Sequence, residues 1–236
     1  MKTIVTLLFL SIAVSLQAQD TATFFKNADS FFKAHVRNGR VDYKAVKSNP
    51  TALNDLLKNA ATIKVNPSEA ATYQSFWINA YNLAVIKGVV SAYPIKSPLD
   101  IKGFFDKNTY TLGGTDITLN DIENKKLRAA FPSEARFHFV LVCAGLGCPP
   151  IIDEAYVPSK LDSQLERQTK RALNDPTFIR SKGKKVQLSQ IFEWYKEDFV
   201  RNGDEISFVN KYRKEPLPEN AKISYYPYDW TLNEIK

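Results

Sequence analysis

The chain has 236 residues and a formal net charge of +7 at neutral pH, and 44% of its residues are hydrophobic. This apolar content is sufficient for a large buried core. The positive residues are spread over several segments, which is typical of a solvated surface, so the composition does not predict a nucleic-acid partner. Because the chain has only two histidines and no zinc-binding motif, the sequence predicts neither a metal site nor a cofactor.

Residues 1–18 have the features of a secretory signal peptide, because Lys2 precedes a short apolar run and small residues surround a cleavage position after Ala18. The run is shorter than the roughly 18 apolar residues of a membrane-spanning helix. We therefore expect residues 19–236 to form a single exported domain, in the periplasm or the extracellular medium. No stable membrane insertion is expected after the signal is removed.

Three helices are predicted in the first part of the chain. Apolar residues recur at helical spacing from Phe24 to His35, in a helix expected to stop near Gly39, and again from Leu53 to Ala60. The segment Asn66-Pro67-Ser68-Glu69 then supplies a cap residue, a proline and a capping-box glutamate, which predict the start of a third helix. That helix should extend to about Tyr93.

The middle of the third helix is apolar on nearly every face, from Phe76 to Ile86, so this helix is expected to be central. Since a buried amide without a partner costs about 1–3 kcal/mol, Asn79 and Asn82 need partners. They either bond to neighbouring loop backbone or line a polar pocket. Trp77 and Tyr81, four residues apart, are expected in the core, with a pocket wall as the alternative.

The second half of the chain combines hairpins with helices. Alternation from Thr109 to Leu119 around Gly113-Gly114 predicts a hairpin, and Asn120 is expected to cap a helix with Glu123 at its capping-box position. The apolar, β-rich run Phe137–Cys143 predicts a buried strand. The remaining predicted elements are a helix over Pro158–Leu173, a hairpin over Phe178–Leu188, a helix over Ile191–Phe199 capped by Ser189, a helix over Asp204–Tyr212 and a strand over Lys222–Tyr226.

Hairpins and separate groups of helices, without a regular alternation of strand and helix, predict an α+β fold. We expect a single domain of about eight helices around a small, mostly antiparallel sheet with hairpins.

Both cysteines lie in one segment, Arg136–Pro150, where the predicted strand opens into a glycine-rich loop. In an oxidising compartment, Cys143 and Cys148 are candidates for a disulfide. Alternatively, Cys143 is a nucleophile, and the amides of residues 144–147 stabilise negative charge on an attacked carbonyl.

A nucleophilic Cys143 needs a base. Five strand residues would separate His138 from Cys143 by roughly 16 Å and place the two side chains on opposite faces, so a simple dyad is not expected. His35 and Glu123 are the remaining candidates. A partly buried core histidine and a capping-box glutamate also explain these two residues without catalysis.

Five motifs occur in order along the chain: FWINAYN at 76–82, LNDIENKKLR at 119–128, RFHFVLVCAGLGCPP at 136–150, FEWYKEDF at 192–199 and YDWTLN at 228–233. Over about residues 40–235, the chain resembles the domain of unknown function family numbered 547. The resemblance implies one intact domain and brings no catalytic roles.

The resemblance also nominates site positions beyond those already named, at Arg128, Pro149, Trp194, Asp198 and Asp229. The family pattern often has a histidine where this chain has Asn124. Some relatives are joined to glutaredoxin-like domains, which by analogy favours thiol chemistry.

Three functional hypotheses follow. The first is an exported binding domain for a small molecule or peptide, whose polar pocket beside Cys143 is lined by Trp77, Asn79, Tyr81, Asn82 and Arg128. The second is a cysteine-dependent enzyme that attacks an amide or ester, with Cys143 as nucleophile and Glu123 and His138 as catalytic candidates. The third is a thiol–disulfide protein that uses both Cys143 and Cys148.

Overall fold

The computed structural model of the protein describes residues 20–236. The predicted signal peptide, residues 1–18, lies outside the described residues. The predicted α+β class is confirmed, because helices and small, mostly antiparallel sheets occur as separate groups. The strands form three small sheets rather than one. Among the described residues, none of the helices combines the length and the apolar character that crossing a bilayer requires.

The described residues contain nine α-helices, close to the predicted eight: α1 over residues 20–35, α2 Tyr43–Ser48, α3 Thr51–Thr62, α4 Ala70–Ala92, α5 Leu119–Asp121, α6 Leu161–Leu173, α7 Gln190–Trp194, α8 Lys196–Phe199 and α9 Glu205–Asn210. A π-helix, Ile122–Arg128, continues α5. The two 3-10 helices among the described residues are Pro98–Asp100 and Ala135–Phe139. The strands are β1 Val36–Arg37, β2 Arg40–Val41, β3 Thr109–Leu112, β4 Thr115–Thr118, β5 Ile179–Lys182, β6 Lys185–Ser189 and β7 Lys222–Tyr226.

Helix α4 lies at the centre of the larger of two hydrophobic cores, as the sequence predicts. Every residue from Phe76 to Ile86 is buried, and α2, α3 and the π-helix pack against this helix. It starts at Ala70, later than predicted, because the Asn66 side chain accepts a hydrogen bond from the Ser68 amide and forms a turn instead of a helix cap.

Helix α1 ends at residue 35, before the predicted stop near Gly39. The chain then turns at Asn38 and Gly39, which both have positive φ, and forms the short β1–β2 hairpin. Asn-Gly is a common hairpin turn, and the helical periodicity obscured it.

A smaller core joins the three-stranded sheet to α7, α8 and α9. Strands β5 and β6 form the predicted hairpin, whereas β6 and β7 pair in parallel with Ser189 opposite Tyr226. Parallel pairing brings the carboxyl ends of β6 and β7 to the same edge of the sheet. Gln190 and Tyr228, which follow these strands, are therefore neighbours, and the Tyr228 amide donates to Gln190 Oε1 at 2.8 Å.

The predicted strand over Phe137–Cys143 is wrong. Ala135–Phe139 form a 3-10 helix, and residues 140–143 are irregular. Phe137 packs into the larger core and Phe139 into the smaller one. The segment is apolar because it connects two cores, and not because it crosses the middle of a sheet.

The β3–β4 hairpin around Gly113-Gly114 is confirmed. Gly113 has φ +64°, and a Cβ atom added there would lie 2.7 Å from the Trp77 ring. A left-handed conformation costs a residue other than glycine about 1–2 kcal/mol, and overpacking of a core adds about 1–3 kcal/mol.

We predict that Gly113→Ala lowers the free energy of unfolding by about 2–5 kcal/mol, measured by urea denaturation. Gly183→Ala is the matched control, because Gly183 has φ +58° but no atom within 4 Å of an added Cβ. The free energy of unfolding of the control should fall only by the cost of the left-handed conformation, about 1–2 kcal/mol. Equal losses in the two variants would show that the Trp77 contact does not constrain position 113.

Candidate functional site

The two cysteines lie where the two hydrophobic cores meet. Cys148 packs against both cores, and Cys143 packs against the smaller one. Both residues are of intermediate exposure. The loop that joins them therefore lies at the junction of the two cores.

The segment that leads to Cys143 is held by one side chain of the central helix. The Asn82 amide nitrogen donates to the Val140 carbonyl at 3.0 Å, and its oxygen accepts from the Val142 amide at 2.9 Å. This pair of bonds satisfies irregular buried backbone in the way that a neighbouring strand would. Asn82 thus fixes the approach of the chain to Cys143.

Asn79 makes the corresponding contacts one turn earlier. Its amide nitrogen donates to the carbonyls of Ser75 and Tyr156, and its oxygen accepts from the Tyr156 amide. Both asparagines therefore bond to neighbouring loop backbone, which is one of the two interpretations that the sequence allows.

A glycine-rich loop follows Cys143 and lies against residues 228–235, here called the 228–235 segment. The amides of Leu146 and Gly147 donate to the carbonyls of Thr231 and Asp229, and the Asn233 amide donates to the Ala144 carbonyl. The Leu146 and Gly147 amides are already bonded, so two of the four 144–147 amides predicted to stabilise an anion are not available for that role.

The close approach of this segment explains the glycines. A Cβ atom added at Gly147 would lie 2.9 Å from the Tyr228 ring, and one at Gly145 would lie 3.0 Å from the Asp229 carbonyl oxygen. Ala144, directly after Cys143, adopts the left-handed φ of 65° although it has a side chain. Such conformations cost about 1 kcal/mol or more and persist where the surroundings fix them, often at functional sites.

One hydroxyl group contacts both sulfurs. The Tyr228 oxygen lies 2.6 Å from Cys143 Sγ and 2.8 Å from Cys148 Sγ, and the Cys143 amide donates to Cys148 Sγ at 3.0 Å. Both cysteines are free thiols in this arrangement. Burial raises the pKa of the Tyr228 phenol far above its ordinary value, so it keeps its single proton at neutral pH.

The two thiols differ in acidity. Desolvation raises the pKa of Cys143, but hydrogen bonds from the Cys148 thiol, the Tyr228 hydroxyl and the Gly145 amide outweigh it and lower this pKa below the ordinary value. Desolvation and the neighbouring Cys143 raise the pKa of Cys148 well above that value. A phenol with one proton can donate to only one sulfur at a time, and its contacts with the two sulfurs lower the pKa of both cysteines.

A second polar group lies beside the thiols, on the far side of Glu123. The His138 Nε2 atom is 2.8 Å from Asp198 Oδ2, and its Nδ1 atom is 3.8 Å from Glu123 Oε1. His138 is nearly fully buried and stacks on the Tyr195 ring at 4.1 Å. The charge of Glu123 raises the pKa values of Cys143, Tyr81 and Tyr195, so this carboxylate lies within electrostatic range of all three.

Asp198 holds the outer end of this group. Arg128 Nε donates to Asp198 Oδ2 at 2.6 Å, and the Arg128 guanidinium also bonds to Asn124. Burial raises the pKa of Asp198, but the hydrogen bonds from His138 and Arg128 outweigh it and lower the pKa well below 3.8. Asn124, where the family pattern often has histidine, therefore belongs to the same network.

Glu123 does not cap a helix, contrary to the prediction. Thr118 is the cap of α5, because its hydroxyl accepts from the Asp121 amide, and Glu123 lies in the following π-helix. The Ala129 amide bonds to the Asn124 carbonyl five residues earlier, a pattern that recurs at functional sites. The capping explanation for Glu123 is removed.

Most of the predicted site residues come together. Tyr81, Asn82 and Glu123 lie near the two thiols, and His138 and Arg128 are connected to Glu123 through the Asp198 network. Trp77 lies elsewhere, under Gly113 and beside Tyr73, and Asn79 lies at Tyr156. His35 stacks on Phe31 in the larger core, and burial lowers its pKa. The strand geometry that separated His138 from Cys143 is absent.

Two residues of the site, Tyr228 and Tyr195, were not identified from the sequence. Tyr228 lies in the YDWTLN motif and Tyr195 in the FEWYKEDF motif, but neither residue was singled out within its motif. Contacts 85 and 80 residues apart along the chain, from Tyr228 to the two sulfurs, have no local signal. Motif membership was the one available clue.

Residues 66–172 match the model of the family described as protein of unknown function, DUF547. This segment belongs to the DUF547 family. It contains three of the five motifs, whereas the motifs at 192–199 and 228–233 lie outside the match, which is shorter than the expected 40–235. The DUF547 segment thus supplies both cysteines, and Tyr195, Asp198 and Tyr228 come from beyond it.

No curated protein and no solved structure matches the chain. Within residues 20–236, no group of three or more histidine, cysteine, aspartate or glutamate side chains is arranged to hold a metal ion.

The Asn82 bonds give a testable expectation. Asn82→Leu leaves the Val140 carbonyl and the Val142 amide without partners, and each buried group without a partner costs about 1–3 kcal/mol, so the free energy of unfolding should fall by about 2–6 kcal/mol. Alkylation of Cys143 should also slow, because the backbone that leads to it loses its support.

Asn210→Leu is the control for this variant, since Asn210 bonds to the Leu217 carbonyl and amide in the same way but away from the thiols. It should lose stability without a change in thiol reactivity. An unchanged alkylation rate in Asn82→Leu protein that is folded would contradict the positioning role.

The Asp198 network gives a pH-dependent expectation. Asp198→Asn leaves the half-buried Arg128 without its partner, so we expect a loss of about 3 kcal/mol at neutral pH, the lower end for breaking a buried pair. Since the folded-state pKa of Asp198 lies below 3.8, the carboxylate stabilises the fold above that pH, and the contribution is lost as the pH falls through the folded-state pKa.

The stability difference between wild type and Asp198→Asn should therefore shrink as unfolding is measured below about pH 3.8. Asp121→Asn, which breaks the exposed Lys125 pair, is the control and should change stability by about 0.5 kcal/mol or less. A difference that is constant across pH would argue against ionised Asp198 as the source.

Proposed function

We propose that the protein catalyses thiol–disulfide exchange, with Cys143 as the attacking thiol and Cys148 as the resolving thiol. The proposal rests on one observation: the Tyr228 hydroxyl contacts both sulfurs, and the pKa of Cys143 is lowered whereas that of Cys148 is raised. A lowered pKa raises the thiolate fraction of the attacking sulfur, and a raised pKa keeps the second sulfur protonated until it is needed.

The reaction has two steps. The Cys143 thiolate attacks one sulfur of a substrate disulfide, forms a mixed disulfide with it and releases the other substrate sulfur as a thiolate. Cys148 gives its proton to that thiolate and attacks Cys143 Sγ, which releases the second substrate thiolate and forms the Cys143–Cys148 disulfide. The substrate disulfide is reduced and the two cysteines are oxidised, so each further turnover requires a dithiol from solution, such as dithiothreitol, to reduce the Cys143–Cys148 disulfide.

The surrounding residues have separate roles in this proposal. Tyr228 donates to the Cys143 thiolate, and Asn82 positions the chain before it. The nearby charge of Glu123 opposes ionisation of Cys143. Asp198 binds His138 Nε2, which leaves the Nδ1 atom of that ring facing Glu123. The disulfide offered by the sequence becomes the oxidised state of the site, and the predicted export would bring the protein to a compartment with disulfide substrates.

A second candidate is attack on an amide or ester, with His138 as the acid–base group. It is favoured by the 2.8 Å contact between His138 and Asp198, because the aspartate of a catalytic triad binds the histidine in the same way. Against it, the Leu146 and Gly147 amides are bonded to the 228–235 segment and cannot stabilise an oxyanion. The remaining hypothesis, binding of a small molecule or peptide in a pocket beside Cys143, needs no covalent step.

We predict that the Cys143 thiol reacts with iodoacetamide with an apparent pKa below 9.0, and that Tyr228→Phe raises this pKa because one stabilising hydrogen bond is lost. A rise of one unit lowers the reactive fraction at neutral pH about tenfold. Tyr225→Phe, whose hydroxyl contacts Glu205, is the control and should leave the profile unchanged.

The same proteins test the reaction. Wild type should reduce 2,2′-dipyridyl disulfide and become a Cys143–Cys148 disulfide, detected by mass spectrometry after alkylation. Cys148→Ser should stop at a stable mixed disulfide on Cys143, and Cys143→Ser should not react. Turnover of an ester by Cys148→Ser protein, without thiol exchange, would favour the second candidate and overturn the first.

A further inference from the structure

An aromatic surface extends from Tyr228 beside the two thiols, and its other three rings have no role in the reaction described above. It consists of Trp194, Trp230, Tyr228 and Phe105, here called the aromatic surface. The Trp194 and Trp230 rings stack 6.0 Å apart with an interplanar angle of 25°, and Phe105 lies 5.9 Å from Trp230. Trp194 is 46% exposed, and among the described residues only Leu99 is a more exposed large hydrophobic side chain.

The aromatic surface is continuous with the sulfurs. The Tyr228 ring lies 5.1 Å from Trp194 and 4.6 Å from Trp230, and its hydroxyl contacts Cys143 and Cys148. A molecule that lies on Trp194 is therefore held a single ring away from the attacking sulfur. Exposed tryptophan and tyrosine side chains provide large contact areas at a small cost in conformational entropy.

Each of these rings has an acidic residue as a direct sequence neighbour, and the exposed Lys107 lies two residues after Phe105. Carboxylates stand beside Phe105, Trp194 and Trp230 in the chain, and all three carboxylates are exposed: Asp106, Glu193 and Asp229. The nearest lysine to Trp194 in sequence, Lys196, has its ammonium 3.5 Å from Glu205. This arrangement repels small anionic disulfides such as oxidised glutathione and attracts cations, which also bind favourably over indole rings.

We infer that the substrate of the proposed exchange reaction is a disulfide within a polypeptide segment whose neighbouring residues are apolar or basic. The inference rests on the proposed function for the covalent step, and the aromatic surface supplies the binding step. An apolar or cationic side chain beside the substrate cysteine lies on Trp194, and the substrate disulfide then reaches Cys143 next to Tyr228.

The test uses two disulfide-linked dimers of five-residue peptides. One peptide has arginines at its ends and leucines beside the cysteine, and the other has glutamates and serines at those positions. Wild type should reduce the first with a KM at least fivefold lower. Trp194→Ala should raise that KM at least fivefold without changing kcat, Trp194→Phe should restore most of the loss, and neither should change the rate with 2-hydroxyethyl disulfide, which has no aromatic or charged group.

Leu99→Ala is the control, because Leu99 is the other exposed large hydrophobic residue and lies in a 3-10 helix outside the aromatic surface. It should leave both KM values unchanged. Equal KM values for the two peptides, or a Trp194→Ala effect of the same size on every disulfide, would overturn the inference.

Binding separates this inference from the proposed function. The Cys143→Ser, Cys148→Ser double variant cannot exchange disulfides, so calorimetry with the intact peptide dimers measures binding alone. Tighter binding of the basic, apolar dimer that is lost in Trp194→Ala would support the aromatic surface even if wild type shows no exchange. Failure to discriminate between the dimers in this variant would overturn it.

Discussion

The arrangement of the thiols depends on the two hydrogen bonds between the Asn82 side chain and the backbone of Val140 and Val142. The segment before Cys143 is buried and irregular, so its polar groups have neither helix nor sheet to satisfy them. An amide on the central helix provides a donor and an acceptor at fixed positions. The backbone before Cys143 is thereby fixed to α4, which is itself packed on all sides by the larger core.

From that fixed point the site is completed by the other core. The parallel pairing of β6 and β7 places Tyr228 at the edge of the sheet, and the 228–235 segment then bonds to the glycine loop. The thiols are thus held from two sides, by Asn82 on one and by Tyr228 on the other. Their difference in acidity has another cause, because desolvation and the neighbouring Cys143 raise the pKa of Cys148, whereas hydrogen bonds lower the pKa of Cys143.

The sequence predicts well the elements whose cause is local. The β3–β4 hairpin follows from Gly113-Gly114, and the central position of α4 follows from its apolar character on every face. The segment 137–143 was predicted as a strand because an apolar, β-rich run looks the same whether it crosses a sheet or connects two cores. Only tertiary structure distinguishes these cases.

The site follows the same division. Cys143, Cys148, Glu123 and His138 were identifiable as reactive residue types in short motifs, but their mutual geometry was not. The Glu123 prediction failed for a local reason, since Thr118 competes successfully with Asn120 as the cap. The role of Tyr228 has no counterpart in the local sequence, because it depends on a parallel strand pairing across three helices.

The separation of 80 residues between Cys148 and Tyr228 has a consequence for the order of biosynthesis. At about 5–20 residues per second, the ribosome makes the cysteine loop roughly 4–16 s before the phenol that activates it. During this interval Cys143 lacks its strongest distant donor and behaves as an ordinary thiol. The lowered pKa of Cys143 therefore arises only once the second core has folded.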